Sequence, residues 1–152
     1  MSSALTFHLG RFVAEFPLDR CYAKNHMWAQ PRGDLFRFGF TAYAVRLLQD
    51  VYFLDWTIEP ETPLQLRQEI GAIESKKADS TLYAPLAGVL AGFNEPLLTD
   101  PRAINLDPYG AGWLFEIRGP AVDLLTPQQY VEHVAAVWPV TQKTIQGQLD
   151  ES

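Results

Sequence analysis

Apolar and polar residues alternate in short runs through most of the chain. Phe36, Phe38 and Phe40 share one side of the run Leu35 to Phe40, and Val51 to Trp56, Val89 to Phe93 and Trp113 to Ile117 are further short apolar runs. A period of two predicts half-buried strands. Two more arms lie in the middle. Ile70, Ala72 and Glu74 alternate with Gly71, Ile73 and Ser75, and Leu82-Tyr83 lead back into Ala84-Pro85 and Gly88. This pattern predicts a hairpin with Lys76-Lys77 at its tip, a solvent-facing place from which a lysine projects freely. Helical spacing is rarer. Thr41 is an N-cap candidate for a short helix from Ala42 to about Gln49, with Tyr43, Ala44, Leu47 and Leu48 inward. Asp100-Pro101 predicts a helical turn over 101–104. Thr126-Pro127 starts a helix with the stripe Tyr130, Val134, Val137 and Trp138, and Pro139 is expected to stop it.

About seven short strands with two or three short helices predict a mainly β, α+β fold: a small sandwich or flattened barrel. Residues 1–19 read as an N-terminal extension in which Phe7, Leu9 and Phe12 add at most one short strand before Pro17. Residues 20–139 are the expected domain, and 140–152 a polar, frayed tail.

Composition narrows the function. A chain of 152 residues fits one domain. Its net charge of -6, with no basic stripe, excludes nucleic acid as a natural partner, because phosphate contacts need clustered Lys and Arg. No apolar run approaches the roughly 20 residues of a membrane span. The start MSSALTFHLGRF is not a secretory signal. Cys21, the single cysteine, excludes an internal disulfide and fits a reducing cytoplasm. It carries no nucleophile signature and reads as a small apolar residue. His8, His26 and His133 are far apart in sequence and lack metal-ligand spacing, so no metal is expected. There is no G-x-S-x-G elbow or phosphate loop. Gly110-Ala111-Gly112 follows Asp107-Pro108-Tyr109 as a turn.

Two lysines at a turn ordinarily serve only solubility. The frame around this pair changes that reading. Glu74-Ser75 precede, Lys77-Ala78 follow, and Tyr83-Ala84-Pro85-Leu86-Ala87-Gly88 close the return. The frame resembles the lipoyl-attachment hairpin of the glycine cleavage H-protein family. In that family the lysine before Ala, third after Glu, carries lipoate in amide linkage, which implies Lys77. A Ser-Lys-Lys-Ala tip is unlike the Met-Lys-Met of biotinylated domains. Two further stretches resemble the family: residues 20–28, with His26 and Trp28, and the string Asp107 to Ile117, DPYGAGWLFEI.

The resemblance implies a hybrid barrel-sandwich and a swinging-arm carrier without an active site of its own. It also implies covalent lipoate, one per chain, and partners that include a lipoate-protein ligase and dihydrolipoamide dehydrogenase. The cofactor holds the chemistry and the protein positions it. Glu74 and Asp79 are candidates for recognition by the ligase or a basic partner. His26, Met27 and Thr81 are candidates to shelter the arm. In the family, acidic residues that help an aminomethyl cation would occupy positions 27 and 81. Methionine cannot pair with an ammonium, and Asp79, on the same strand face as 77 and 81, is a partial substitute. These departures favour a sibling resemblance, the lipoate-binding proteins of cytoplasmic sulfur oxidation with a heterodisulfide-reductase-like complex. The alternative is a true H-protein carrying the aminomethyl group between glycine decarboxylase, aminomethyltransferase and dihydrolipoamide dehydrogenase. An unlipoylated binding module is the reading from another class.

Overall fold

The computed structural model describes the backbone of residues 4–150 and the side chains of residues 4–141. Along the chain run β1 (Ala4–Leu9), β2 (Phe12–Pro17), β3 (Cys21–Tyr22), β4 (Met27–Arg32), β5 (Leu35–Phe40), α1 (Ala42–Leu48), β6 (Val51–Trp56) and β7 (Pro63–Leu64). Then follow β8 (Glu69–Ser75), β9 (Asp79–Tyr83), β10 (Gly88–Phe93), α2 (Pro96–Thr99), α3 (Ala103–Leu106), β11 (Phe115–Arg118) and α4 (Pro127–Asp150). The fold is mostly β with short helices and a C-terminal helix, as the alternating pattern predicts.

Three sheets form: β1-β2, β3-β4-β5-β11-β10-β7, and β6-β8-β9. The two larger sheets close over one core. Ile70, Ile73 and Leu82 of the three-stranded sheet pack in the same cluster as Phe38, Leu90, Phe115 and Ile117 of the six-stranded one. Their burial on one face is why register is firm, since a one-residue slip would turn these side chains away from the core.

Thr41 caps α1 as expected, its hydroxyl accepting from the Ala44 N–H at 3.3 Å. Thr126 caps α4 reciprocally with Gln129: the Gln129 N–H donates to the Thr126 hydroxyl and the Thr126 N–H to Gln129 Oε1.

Four expectations need correction. The lead-in is a complete hairpin, β1-β2, because Ala14 and Phe16 turn inward and are fully buried in a second cluster with Tyr22, Trp28, Tyr43 and Tyr130. The helical turn expected at 101–104 is displaced to 103–106, and an additional short helix opens at Pro96. Asp100 still binds the Arg102 N–H, so the capping chemistry is right and the boundary shifts. The strand pattern also misses β3 and β7, each only two residues long. Pro139, finally, does not stop the last helix, which runs to Asp150. The ring removes one backbone donor, but it lies on the exposed side, while Tyr130 and Val134 anchor the upstream turns. Thr141 ties the following turn back through a hydroxyl bond to the Val137 carbonyl. The polar tail expected over 140–152 is therefore helical as far as Asp150, and its last two residues lie outside the described residues.

Candidate functional site: a lysine tip beside a cleft

The β8-β9 hairpin pairs Glu74 with Asp79, Ile73 with Ser80 and Ala72 with Thr81. Ser75 and Ala78 close the tip. The Ser75 N–H and hydroxyl both donate to the Ala78 carbonyl, at 2.9 and 2.8 Å, and the Ala78 N–H returns to Ser75 Oγ at 3.1 Å. Lys76 and Lys77 occupy the loop between them, outside either strand. Lys76 is exposed and Lys77 half-buried. Neither lysine is in an ion pair among the described residues. On the other flank, the Lys76 N–H donates to the Asp50 carbonyl at 2.8 Å, tying the tip to the start of β6. Further down, β6 and β8 approach so closely at Gly71 that a Cβ would strike the Asp55 carbonyl and the Trp56 ring. Only glycine fits there.

Glu74 and Asp79 stand directly opposite each other just below the tip. Like charges in that relation are unfavourable. Asp79, Thr81 and Tyr83 share the exposed face of β9. Lys77 does not share it, because the strand begins only at Asp79.

His26, Met27 and Thr81 come together in a cleft of about 300 Å³. Its other walls include Phe40, Ala44, Leu47, Leu48, Ile73 and Leu82, with Ala78 and Ser80 next to the tip. Glu74 and Asp79 are not in its lining, and among the described residues no carboxylate is. Asn25 forms one edge, its amide donating to the Tyr83 carbonyl at 3.2 Å and reaching the Met27 sulfur at 3.8 Å.

His26 takes a left-handed backbone, φ 70°, in the turn that leads into β4. Its Nδ1 lies 2.9 Å from the Tyr130 hydroxyl, which lies 2.9 Å from Thr41 Oγ1. One consistent proton order runs from the Ala44 N–H to Thr41, from Thr41 to Tyr130, and from Tyr130 to His26. Burial, reinforced by the charge of His133, pushes the His26 pKa down to about 4. The ring is therefore neutral at pH 7. The histidines that are distant in sequence are not all distant in space: His26 and His133 stack at 5.5 Å. Among the described residues no group of three or more His, Cys, Asp or Glu could hold a metal ion.

The Asp107 to Trp113 stretch is structural. The Gly110 and Gly112 N–H groups donate to the Asp107 carbonyl and the Ala111 N–H to Asp107 Oδ2, so all three are engaged within the turn. Trp28 Nε1 donates to the Pro108 carbonyl, joining this turn to β4.

Sequence reasoning missed Ser75, Asn25, Ser80, Tyr130 and the Asp50 pin. Ser75 had a signal, since serine before a two-residue turn commonly closes it through its hydroxyl. The others are joined across 58 to 104 residues or through backbone atoms, and carry none.

The tip presents two neighbouring amines next to an apolar recess. Residues 20–136 match the family model described as glycine cleavage H-protein. The chain is 38% identical over 123 residues to the glycine cleavage system H protein of Rubrobacter xylanophilus, covering 80% of this chain and 97% of that protein. It is 36% identical over 122 residues to that of Thermus thermophilus, covering 78% and 94%. A crystal structure of the H protein from Mycobacterium marinum superposes with a TM-score of 0.69 at 34% identity, covering 80% of this chain and 98% of the other. The β1-β2 hairpin and the end of α4 lie outside the matched residues. Shared sequence and shared fold together establish that the chain belongs to the glycine cleavage H-protein family, whose members carry covalent lipoate and have no catalytic activity of their own.

Proposed function

We propose that Lys77 is the lipoylated residue and that the chain is the swinging-arm carrier of a glycine cleavage system. The observation that carries this reading is the closed Ser75-Ala78 tip, which presents Lys77 outside both strands next to an apolar cleft. Bound lipoate would supply a dithiolane whose disulfide can be reduced, loaded and reoxidised. The chain's own residues do the rest. Ser75 and the Asp50 carbonyl fix the root of the arm. Met27, Thr81 and the neutral His26 line the recess beside it. Glu74 and Asp79 give the tip an acidic flank for a ligase or partner enzyme to read. The partners are a lipoate-protein ligase, glycine decarboxylase, aminomethyltransferase and dihydrolipoamide dehydrogenase. A single cysteine suits a cytoplasmic setting, and no helix of the described residues is long and apolar enough to cross a membrane.

The matched relatives support glycine cleavage over sulfur oxidation, the reverse of the weighting from Met27 and Thr81 alone. One observation favours the second reading, a carrier of a sulfur-bearing intermediate beside a heterodisulfide-reductase-like complex: the cleft offers no carboxylate to a cationic load. Incubating the lipoylated chain with glycine decarboxylase and labelled glycine separates the two. Label on the Lys77 peptide is the expected result. An arm that dihydrolipoamide dehydrogenase reduces but glycine decarboxylase never labels would overturn the glycine-cleavage assignment.

A further inference from the structure

We infer that Asn105 is a positioning residue that determines which of the two adjacent tip lysines is acylated. The inference rests on the lipoylation proposed above. Asn105, on α3, makes two hydrogen bonds to the backbone that leads into β6. Its Nδ2 donates to the Gln49 carbonyl at 2.6 Å, and its Oδ1 accepts from the Val51 N–H at 2.9 Å. The residue between those two contacts is Asp50, whose carbonyl holds the Lys76 N–H at 2.8 Å. One side chain therefore brackets the backbone unit that pins the tip.

This segment needs such a bracket. Gln49 ends α1 in a left-handed conformation, φ 59°, which a side-chain-bearing residue rarely adopts. The β6-β8 ladder is irregular here too, with a register shift between Val51 and Phe53. A hairpin whose loop is Lys-Lys is exposed to a particular error. A local shift of the two-residue loop, with the strand register below it unchanged, brings Lys76 toward the place of Lys77, and the chemistry of the amine is the same. Ser75 closes the loop on one flank, and the Asp50 pin, held by Asn105, resists that shift on the other. The two lysines are then distinguished by position alone.

The experiment compares the unmutated chain with Asn105→Ala and Asn105→Asp, each co-expressed with a lipoate ligase and mapped by peptide mass spectrometry. Asn105→Asp keeps the acceptor for Val51 and loses the donor to Gln49. The Lys76 to Lys77 occupancy ratio is expected to rise about tenfold in Asn105→Ala, the size of losing two modest hydrogen bonds, and less in Asn105→Asp. Amide hydrogen exchange on the unlipoylated proteins gives a readout independent of the ligase. The Lys76 amide is expected to exchange faster in Asn105→Ala while the Ile73 amide, in the same strand, keeps its protection. An unchanged ratio, or Lys76 exchange that changes only in step with Ile73, overturns the inference. Absence of lipoate from both lysines of the unmutated chain would instead remove the Lys77 assignment, with the exchange result still deciding the role of Asn105.

Discussion

The two hydrophobic clusters of this molecule are built from different materials. The larger one lies between the two main sheets and under the lysine hairpin. Its buried residues are aliphatic side chains and phenylalanines, with Met27 sulfur as the one heteroatom. The smaller joins β1-β2, α1 and α4, and half of its buried residues are tyrosine or tryptophan. There Tyr22 stacks on Tyr130 at 4.7 Å, the Tyr22 hydroxyl donates to the Pro17 carbonyl, and Tyr130 links His26 to Thr41. A core without polar atoms gains from area and shape alone and tolerates no voids. An aromatic core is directional where its hydroxyls are paired, as those of Tyr22 and Tyr130 are here. The first makes a rigid floor for the tip. The second keys both ends of the chain onto the turn that carries His26.

The contrast is broken most severely by emptying the floor. Phe115→Ala removes a fully buried ring and is expected to cost about 3–5 kcal/mol in urea unfolding. A stabilising change follows for the keyed region. Pro139→Ala restores the missing donor in α4 and should gain roughly 1–3 kcal/mol, provided the helix is continuous there. A destabilised Pro139→Ala would show that the ring has a structural use. Tyr130→Phe deletes only the hydroxyl between His26 and Thr41 and should cost about 1–2 kcal/mol. A double-mutant cycle with Thr41→Val checks the coupling of the two hydroxyls.

Acid should distinguish the regions further. His26 has its pKa pushed from the ordinary 6.5 down to about 4 by burial. Between those values the unfolded chain binds a proton that the folded chain refuses. The stability His26 contributes is thus complete above about pH 6.5 and lost progressively as pH falls toward 4. Relative to the unmutated chain, His26→Gln should show a flatter stability profile across that window. A parallel pair of profiles would contradict the assignment. The smallest effect belongs to the cleft. Thr81→Asp introduces a carboxylate at the exposed edge of the recess and should hold a cationic arm longer, read as slower hydrolysis of the aminomethyl load, with little change in the unfolding midpoint.

Much of this organisation was legible in the amino-acid order. The alternation in Leu35 to Phe40 and in Ile70 to Ser75 is long and apolar enough to mark strands, and the Glu74-to-Gly88 frame points to the lysine. The keyed region was not legible. Phe7, Leu9 and Phe12 form a weak pattern whose meaning depends on α4, more than 100 residues later. Pro139 carries a strong local stop signal that upstream packing overrides. Asp50 acts through its backbone carbonyl, and the Asn105 side chain binds backbone atoms of Gln49 and Val51, so these contacts leave no residue-type signature at the partner. The cleft is legible as positions 26, 27 and 81 but not as a shape, since Asn25, Ser80 and Leu47 join it only through tertiary packing.

The central claim is that one amine, that of Lys77, carries the cofactor. Intact-mass spectrometry of the chain co-expressed with a lipoate ligase tests it most directly. The account predicts a single lipoyl increment that disappears in Lys77→Ala and persists in Lys76→Ala. An unmodified wild type, or an increment that survives Lys77→Ala, would contradict it.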